Sequence, residues 1–276
     1  MSRKVQPFMA LESVKITHVL RRMRGGSQSF LVRGEDDFFY VAKFSGNPQG
    51  NRTLINEWIG HYILGHLQIT VPPLRTLHVD ALTIGTEQLC FRIGVHTFPI
   101  LGDIHLGSRV PADPATTAIF DFLPRTLFPK ISNITEFVQM FVIDKWLGQT
   151  DTRQAIFLRD RHSPKDLAFK AFFIDNGMLF AGSQWTFFDS AYCGLYSDAT
   201  IYAGTAMETI CTKTIEEASG ISGDALQAAV AGLPASWFSL GDTEALNGLI
   251  ARVTKRQKLL PQMISRHLER LSSAHQ

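Results

Sequence analysis

In the first third of the chain, short apolar runs alternate with polar and glycine-rich breaks, a pattern typical of β-strands. The predicted strands occupy Ser13–Met23, Phe30–Arg33, Phe38–Phe44, Leu74–Val79 and Leu89–Ile93. Between Asn51 and Leu67 the apolar residues instead recur every three or four positions, which predicts a helix with one buried face. This part of the chain is therefore predicted to be mainly β, with one long helix.

The two halves of the chain are joined by a stretch without clear periodicity. Residues 98–113 contain glycine and proline, and we expect an irregular loop there, which is usually functional or mobile when it is this long. Ala118–Leu123 then predicts a strand that enters a hinge at Pro124. Because backbone groups of such a hinge contact the base in a two-lobed nucleotide site, Asp121 and Leu123 are candidates for that contact. We place the boundary here, with a β-rich first lobe at residues 1–123 and a mainly helical second lobe at 124–276.

Helical periodicity dominates the second lobe. One helix is predicted at Ile134–Leu147, and four more are predicted at residues 199–212, 214–231, 242–252 and 254–272. Between them, the polar segment Gly148–Gln154 precedes two apolar runs, Ala155–Leu158 and Ala168–Ile174, which predict a β-hairpin. The second lobe is therefore expected to carry one hairpin within a helical body.

Two aspartates flank this hairpin. Asp151 precedes its first strand and Asp175 follows its second, so the fold can place both carboxylates at one mouth. A base beside a hydroxyl and a carboxylate ligand for magnesium are what phosphoryl transfer requires. The alternative is that both are turn residues, because Asp-Thr and Asp-Asn-Gly are common in loops.

The first lobe carries groups that fit the same chemistry. Gly25-Gly26-Ser27 can fold backbone N–H groups around phosphate oxygens, although a plain hairpin turn also explains these residues. Lys43 lies in the apolar run Val-Ala-Lys-Phe and needs a polar partner if buried, whereas on an edge strand it would face solvent. Glu57, beside the apolar stripe of the following helix, is the predicted partner. This order of glycine loop, strand lysine and helix glutamate is that of protein kinases.

Composition and charge exclude several other classes. The 276 residues are 45% hydrophobic, and the formal net charge is only +2, so neither nucleic acid nor an acidic membrane surface is expected as a partner. The sequence contains no apolar run long enough to span a bilayer and no secretory signal pattern at its start. The three cysteines, Cys90, Cys193 and Cys211, are scattered, which favours reduced thiols in a cytoplasmic protein.

Taken in order, these motifs resemble the HipA-like kinase family, a divergent bacterial branch of the protein-kinase-like fold. The resemblance covers roughly residues 15–185 and rests on Gly25-Gly26-Ser27, Tyr40–Phe44, Asn47–Glu57, Phe120–Pro124, Asp144–Gln154 and Phe173–Gly177. It implies an α+β fold of two lobes, a β-rich N-lobe and a mainly helical C-lobe. It also implies ATP and magnesium as cofactors, with a protein or small-molecule hydroxyl as the acceptor. Many relatives work beside a DNA-binding partner protein, but no residue here encodes that contact.

The resemblance also assigns roles. Lys43 would hold the nucleotide phosphates and Glu57 would orient it, while the loop Gly25–Ser29 would cover the phosphates. Asp151 would take the position of the catalytic base and Asp175 that of the magnesium ligand.

One departure from the family pattern concerns the second metal ligand. Relatives usually carry asparagine five residues after the catalytic aspartate and often histidine two residues after it, but this chain has Ile156 and Arg153 there. The side-chain oxygen of Gln154 or Asn176 could substitute. Two hypotheses follow: an active kinase, or a pseudokinase that serves as a nucleotide-binding or protein-interaction module. A metal-dependent hydrolase is disfavoured by the lack of a histidine-rich ligand cluster.

Overall fold

In the computed structural model, which describes residues 13–87, 89–101, 104–159, 167–190 and 193–273, the first lobe is built on a closed barrel of five strands. The strands are β1 (Val14–Arg22), β2 (Phe30–Gly34), β3 (Phe39–Lys43), β4 (Leu74–His78) and β7 (Ile104–Arg109). Their order is β1-β2-β3-β7-β4, and a parallel pairing of β1 with β4 closes the barrel. Each predicted strand from residue 13 to residue 79 is therefore present.

The alternation along β3 decides which of its side chains reach the cleft between the lobes. Tyr40 and Ala42 are fully buried inside the barrel. Because successive side chains of a strand point to opposite faces, Val41 and Lys43 face outwards, and both line the interlobe cavity.

The predicted irregular stretch at residues 98–113 is wrong. A short helix, α2 (Ala81–Thr86), precedes a hairpin of β5 (Cys90–Ile93) and β6 (His96–Pro99), and β7 then pairs with both β3 and β4. The strand β7 lacks a clear apolar pattern because two of its buried positions, packed against neighbouring strands, hold a glycine and a histidine instead of large apolar residues. A side chain at Gly107 would place its Cβ 2.7 Å from Leu77, and His105 is completely buried.

The hairpin predicted in the second lobe is confirmed. Its strands are β9 (Gln154–Arg159) and β10 (Phe169–Ile174), which pair antiparallel with Ile174 opposite Gln154. The strand predicted at Ala118–Leu123 is shorter than expected, since only β8 (Ile119–Phe120) forms. It pairs with β9 instead of extending the barrel, so it forms a three-stranded sheet with the hairpin of the second lobe.

Helices form the rest of the second lobe. They are α3 (Thr135–Leu147), α4 (Met207–Ser219), α5 (Gly223–Ala231), α6 (Asp242–Gln257) and α7 (Leu260–Ser273). The helix predicted at 199–212 is wrong in its first half, where Ala199–Tyr202 forms a 3₁₀ turn, and the helix predicted at 214–231 is two helices. The side chain of Ser222 accepts a hydrogen bond from the backbone N–H of Ala225 and so starts α5 separately. Among the described helices, none combines the length and apolar character needed to cross a bilayer.

The helix α1 (Arg52–His66) belongs to the first lobe in sequence but packs with the second. One hydrophobic core fills the barrel, whereas a larger core joins the buried residues of α1 to those of α3 and the C-terminal helices. The indole N–H of Trp58 donates to the carbonyl of Ala229 in α5 at 3.0 Å. The second lobe therefore holds α1 in position, while the Glu57 side chain on this helix contacts Lys43 of the barrel.

Candidate active site

A cavity of about 920 Å³ lies between the barrel and the helical lobe. It is large enough for a nucleotide, since ligand pockets commonly measure roughly 300–1,000 Å³. The predicted site residues on its wall are Gly25, Gly26, Ser27, Lys43, Glu57, Asp121, Asp151, Gln154, Asp175 and Asn176. Leu123 is not on this wall; its side chain is buried in the larger core.

Lys43 connects the two lobes electrostatically. Its Nζ atom pairs with the Glu57 carboxylate on α1 and lies 2.9 Å from Oδ1 of Asp175 at the end of β10. The backbone N–H of Gly177 donates to Oε1 of Glu57 at 3.0 Å, which completes a ring of contacts. A strand, a helix and the turn after the hairpin therefore meet at one ammonium group.

These contacts set the charge of the site. The Lys43 cation lowers the pKa of Asp175 to about 2, against the opposing effect of burial. Burial alone would lower the pKa of Lys43, but the carboxylates of Glu57 and Asp175 outweigh it and raise that pKa above its ordinary value. At neutral pH the site thus presents an ionised carboxylate beside a permanent cation.

The groups that could hold a divalent cation are oxygen donors. Gln154 Nε2 lies 3.3 Å from Oδ2 of Asp175, so the Gln154 side chain runs alongside this carboxylate at the edge of the cavity. The Oδ1 atom of Asn176 accepts a hydrogen bond from Arg153 at 3.0 Å, and the residue is buried. The oxygens of Asp175 and Gln154 match the ligand preference of magnesium. Of the two amides considered for the missing ligand, the contacts favour Gln154.

Ile156 lines the cavity two residues after Gln154, on the same face of β9. An isoleucine side chain cannot coordinate a cation, so this position on the cavity wall supplies no metal ligand. Across the described part of the chain, no group of three or more His, Cys, Asp or Glu side chains could hold a metal ion.

Asp151 lies on the cavity wall and is also part of a turn. Its Oδ1 accepts a hydrogen bond from the backbone N–H of Thr152 at 2.9 Å, and its carbonyl accepts one from Gly194 at the same distance. The turn interpretation and the functional interpretation are compatible here, because the turn presents the carboxylate at the mouth of the cavity.

A buried ion pair beneath the site was missed by the sequence reasoning. Arg153 Nε donates to Oδ2 of Asp144 at 2.8 Å, and both side chains are almost completely inaccessible. Arg153 Nη1 also donates to the carbonyl of Ile174 at 2.9 Å and to the side-chain Oδ1 of Asn176 at 3.0 Å, so the arginine contacts the residues on both sides of Asp175. The signal was available: Asp144 directly follows the apolar run Met140–Ile143 in the buried part of α3, and a carboxylate there requires a cationic partner.

Asn56 was also missed as a site residue. It is completely buried, and its side chain makes four hydrogen bonds to the segment that follows Asp175. Its neighbour in sequence, Glu57, reaches Lys43 from the same turn of α1.

The glycine loop between β1 and β2 is held from two sides. Gly25 has φ +121°, a conformation that glycine adopts freely, and a Cβ at Gly26 would come within 2.9 Å of the Gln49 side chain. The Gln28 amide bonds both backbone groups of Arg92 in β5, at 2.6 and 2.9 Å. With the loop anchored in this way, Gly25, Gly26 and Ser27 line the cavity.

No family model and no curated protein matches the chain. Among solved structures, the Helicobacter pylori proinflammatory kinase CtkA aligns with a TM-score of 0.54 and 13% identity, over 93% of this chain and 98% of CtkA. Two structures of the Golgi casein kinase align with TM-scores of 0.46 and 0.44, each at 13% identity and over 72% of that chain; the second was crystallised with Mn and ADP. This chain has a two-lobed, α+β protein-kinase-like fold. The comparisons do not assign it to the HipA-like family, which stays a prediction.

Proposed function

We propose that the chain is an ATP- and magnesium-dependent phosphotransferase of the HipA-like type, acting on a hydroxyl of a protein or a small molecule. The observation that carries the proposal is the contact of Lys43 with both Glu57 and Asp175 on the wall of an interlobe cavity. A fold that needed only stability would gain little from two carboxylates and a lysine gathered at a solvent-accessible cleft.

The residues divide the work in the proposed reaction. Lys43 donates to the phosphate oxygens and Glu57 keeps its ammonium group in position. The backbone of Gly25, Gly26 and Ser27 covers the phosphates. The nucleotide base would lie near the hinge at Asp121. Such catalysis consists mainly of positioning and charge neutralisation.

Asp151 would accept the proton of the acceptor hydroxyl. As it does so, the hydroxyl oxygen would bond to the γ-phosphorus, and the bond between that phosphorus and the β–γ bridging oxygen would break. Asp175 and Gln154 would hold magnesium, which neutralises phosphate charge when bound. Asn176 remains the second candidate ligand, although its oxygen is engaged with Arg153. A cytoplasmic location is part of the proposal, supported by three free thiols.

A pseudokinase is the second candidate, and Ile156 favours it. Without a second strong ligand, the site could bind a nucleotide and still transfer its phosphoryl group poorly. In that case the chain would serve as a nucleotide sensor or as a binding module for a protein partner.

Calorimetric titration of ATP, with and without magnesium, tests both candidates. We expect magnesium-dependent binding by the wild type and at least a roughly tenfold loss of affinity in Lys43→Ala, since hydrogen bonds to charged groups contribute about 1.5–3 kcal/mol. Lys170→Ala, at an exposed position on β10, is the matched control and should bind as the wild type does. Thermal melts confirm that both variants are folded.

The outcomes separate the candidates. Magnesium-dependent binding followed by phosphoryl transfer to an added acceptor or to the chain itself supports the kinase. Binding that is indifferent to magnesium supports the pseudokinase. ATP affinity that is unchanged in Lys43→Ala contradicts the assigned pocket.

A further inference from the structure

The segment that follows Asp175 adopts a backbone that the chain would not adopt on its own. Within this return segment, residues 176–186, Phe180, Ala181 and Trp185 have φ values of 57°, 57° and 52°. Such left-handed conformations are costly for residues other than glycine and persist only where the surroundings enforce them. The return segment must therefore be held from outside.

Asn56 supplies the holding contacts. Its Nδ2 atom lies 2.9 Å from three backbone carbonyl oxygens, those of Gly177, Leu179 and Gly182. Its Oδ1 atom accepts a hydrogen bond from the indole N–H of Trp185 at 2.8 Å. Because these groups are buried, removal of the amide would leave carbonyl oxygens without donors at a cost of about 1–3 kcal/mol each.

These contacts lead directly to the proposed catalytic groups. The carbonyl of Gly177 accepts from Asn56, while its N–H donates to Oε1 of Glu57. Glu57 in turn pairs with Lys43, and Lys43 with Asp175. Adjacent residues of α1 thus hold the lysine and the backbone beyond the aspartate at fixed positions relative to each other.

We infer that Asn56 is a positioning residue for the metal-binding carboxylate. By fixing the return segment against α1, it keeps Asp175 where both Lys43 and a divalent cation can reach it. Asp175 itself has φ +62°, so its own conformation also depends on support from the residues around it. The inference rests on the proposed function.

The test compares three variants. Asn56→Asp keeps the acceptor for Trp185 but removes the donors to the three carbonyls. Trp185→Phe removes the fourth hydrogen bond and leaves those donors in place. Gly182→Ala disturbs the return segment without changing any residue of α1, because Gly182 has φ +63° and a Cβ there would lie 3.2 Å from Met178. It replaces Asn56→Asp if that variant does not fold.

Two measurements are made on the full chain. The first is the magnesium concentration that half-saturates ATP binding, and we expect it to rise about tenfold or more in Asn56→Asp, as when supporting partners of metal ligands are lost. In Asn56→Asp, the affinity for ATP without magnesium should change less than about twofold. In Trp185→Phe, the magnesium concentration that half-saturates ATP binding should also change less than about twofold. The second is hydrogen exchange without ligand, in which the amides of Gly177 and Thr186 should exchange about tenfold faster or more in Asn56→Asp.

The results distinguish a positioning role of Asn56 from a purely structural one. A lower melting temperature in Asn56→Asp with an unchanged magnesium requirement would show a purely structural role and overturn the inference. Unchanged exchange of the two amides would overturn it too, whether or not ATP binds. If the wild type shows no magnesium-dependent binding, the proposed function fails, and the positioning role fails with it, while the exchange data still decide whether Asn56 holds the segment.

Discussion

At the scale of single residues, the site depends on a carboxylate whose charge is secured by its neighbour. The pKa of Asp175 is lowered to about 2 by the Lys43 cation, so it is fully ionised wherever the protein is folded at ordinary pH. Charge, not shape, therefore distinguishes it from the isosteric asparagine.

Asp175→Asn is predicted to remove the magnesium dependence of ATP binding. The affinity for magnesium should fall by more than the roughly 10–100-fold that loss of a supporting hydrogen bond costs, because a charged ligand is lost. The backbone should be unaffected, since asparagine tolerates the φ of +62° found there. Calorimetry with increasing magnesium at constant ATP measures the effect.

Asp37→Asn is the matched control. Asp37 has φ +64° but lies in the β2–β3 turn, where its exposed side chain pairs with Arg33 at 2.8 Å. Its substitution should leave the magnesium dependence intact. Equal magnesium titrations for Asp175→Asn and the wild type would move the metal role to another residue.

Single residues also show what the sequence could predict. Lys43 and Glu57 stood out because a cation in an apolar strand and a carboxylate beside an apolar stripe each require a partner. Asn56 did not, since its partners are mostly backbone carbonyls of a return segment whose left-handed conformation leaves no local pattern. Polar side chains that bind backbone become visible only once the fold brings the two segments together.

At the scale of elements, α1 is the part on which the site is assembled, and its close contact with the return segment depends on Gly60. A Cβ at this position would lie 2.6 Å from Leu179 and 2.9 Å from Asn176. Around Gly65, on the same helix, no atom from another described segment lies within 4 Å of the corresponding position. The two glycines therefore differ in environment while sharing a helix.

We predict opposite effects for alanine at these two positions. Gly60→Ala should destabilise the protein by about 1–3 kcal/mol through overpacking, and should weaken magnesium-dependent ATP binding because α1 moves away from the return segment. Gly65→Ala should be neutral or stabilise by up to about 1 kcal/mol, the helix propensity gained. Urea denaturation measures both. A stable Gly60→Ala variant with normal ATP binding would show that the close contact is dispensable.

The elements also differ in how far they could be predicted. The helix α1 was predicted at Asn51–Leu67 and runs over Arg52–His66, because its apolar stripe has a helical period over four turns. The strand β7 was missed because two of its buried positions do not carry large apolar residues. Gly107 has no side chain and His105 has a polar ring, so the sequence shows no strand pattern there. Local periodicity succeeds where an element buries apolar side chains in bulk and fails where it packs backbone closely against a neighbour.

At the scale of the whole molecule, the lobes are tied together through α1 and β7. The guanidinium of Arg52 lies 2.7 Å from the buried carboxylate of Asp242 in α6, and its plane covers the Trp185 ring. The indole N–H of Trp237, which follows α5, donates to the carbonyl of Ile104 at the start of β7 at 3.0 Å. The C-terminal helices thus contact the barrel and the helix that carries Glu57.

These ties predict that barrel and helical lobe unfold in one cooperative transition. All four tryptophans lie in the larger core, so their fluorescence reports mainly on that core, while exchange of the Val32 and Ala42 amides follows the barrel. In urea the two probes should report the same midpoint. Trp237→Phe should lower the free energy of unfolding by about 1 kcal/mol, because it removes one hydrogen bond to a β7 carbonyl. Both urea midpoints should then fall together. A barrel that opens at lower urea than the tryptophan transition would show that the lobes are independent, and the position of Glu57 would then be set by the second lobe alone.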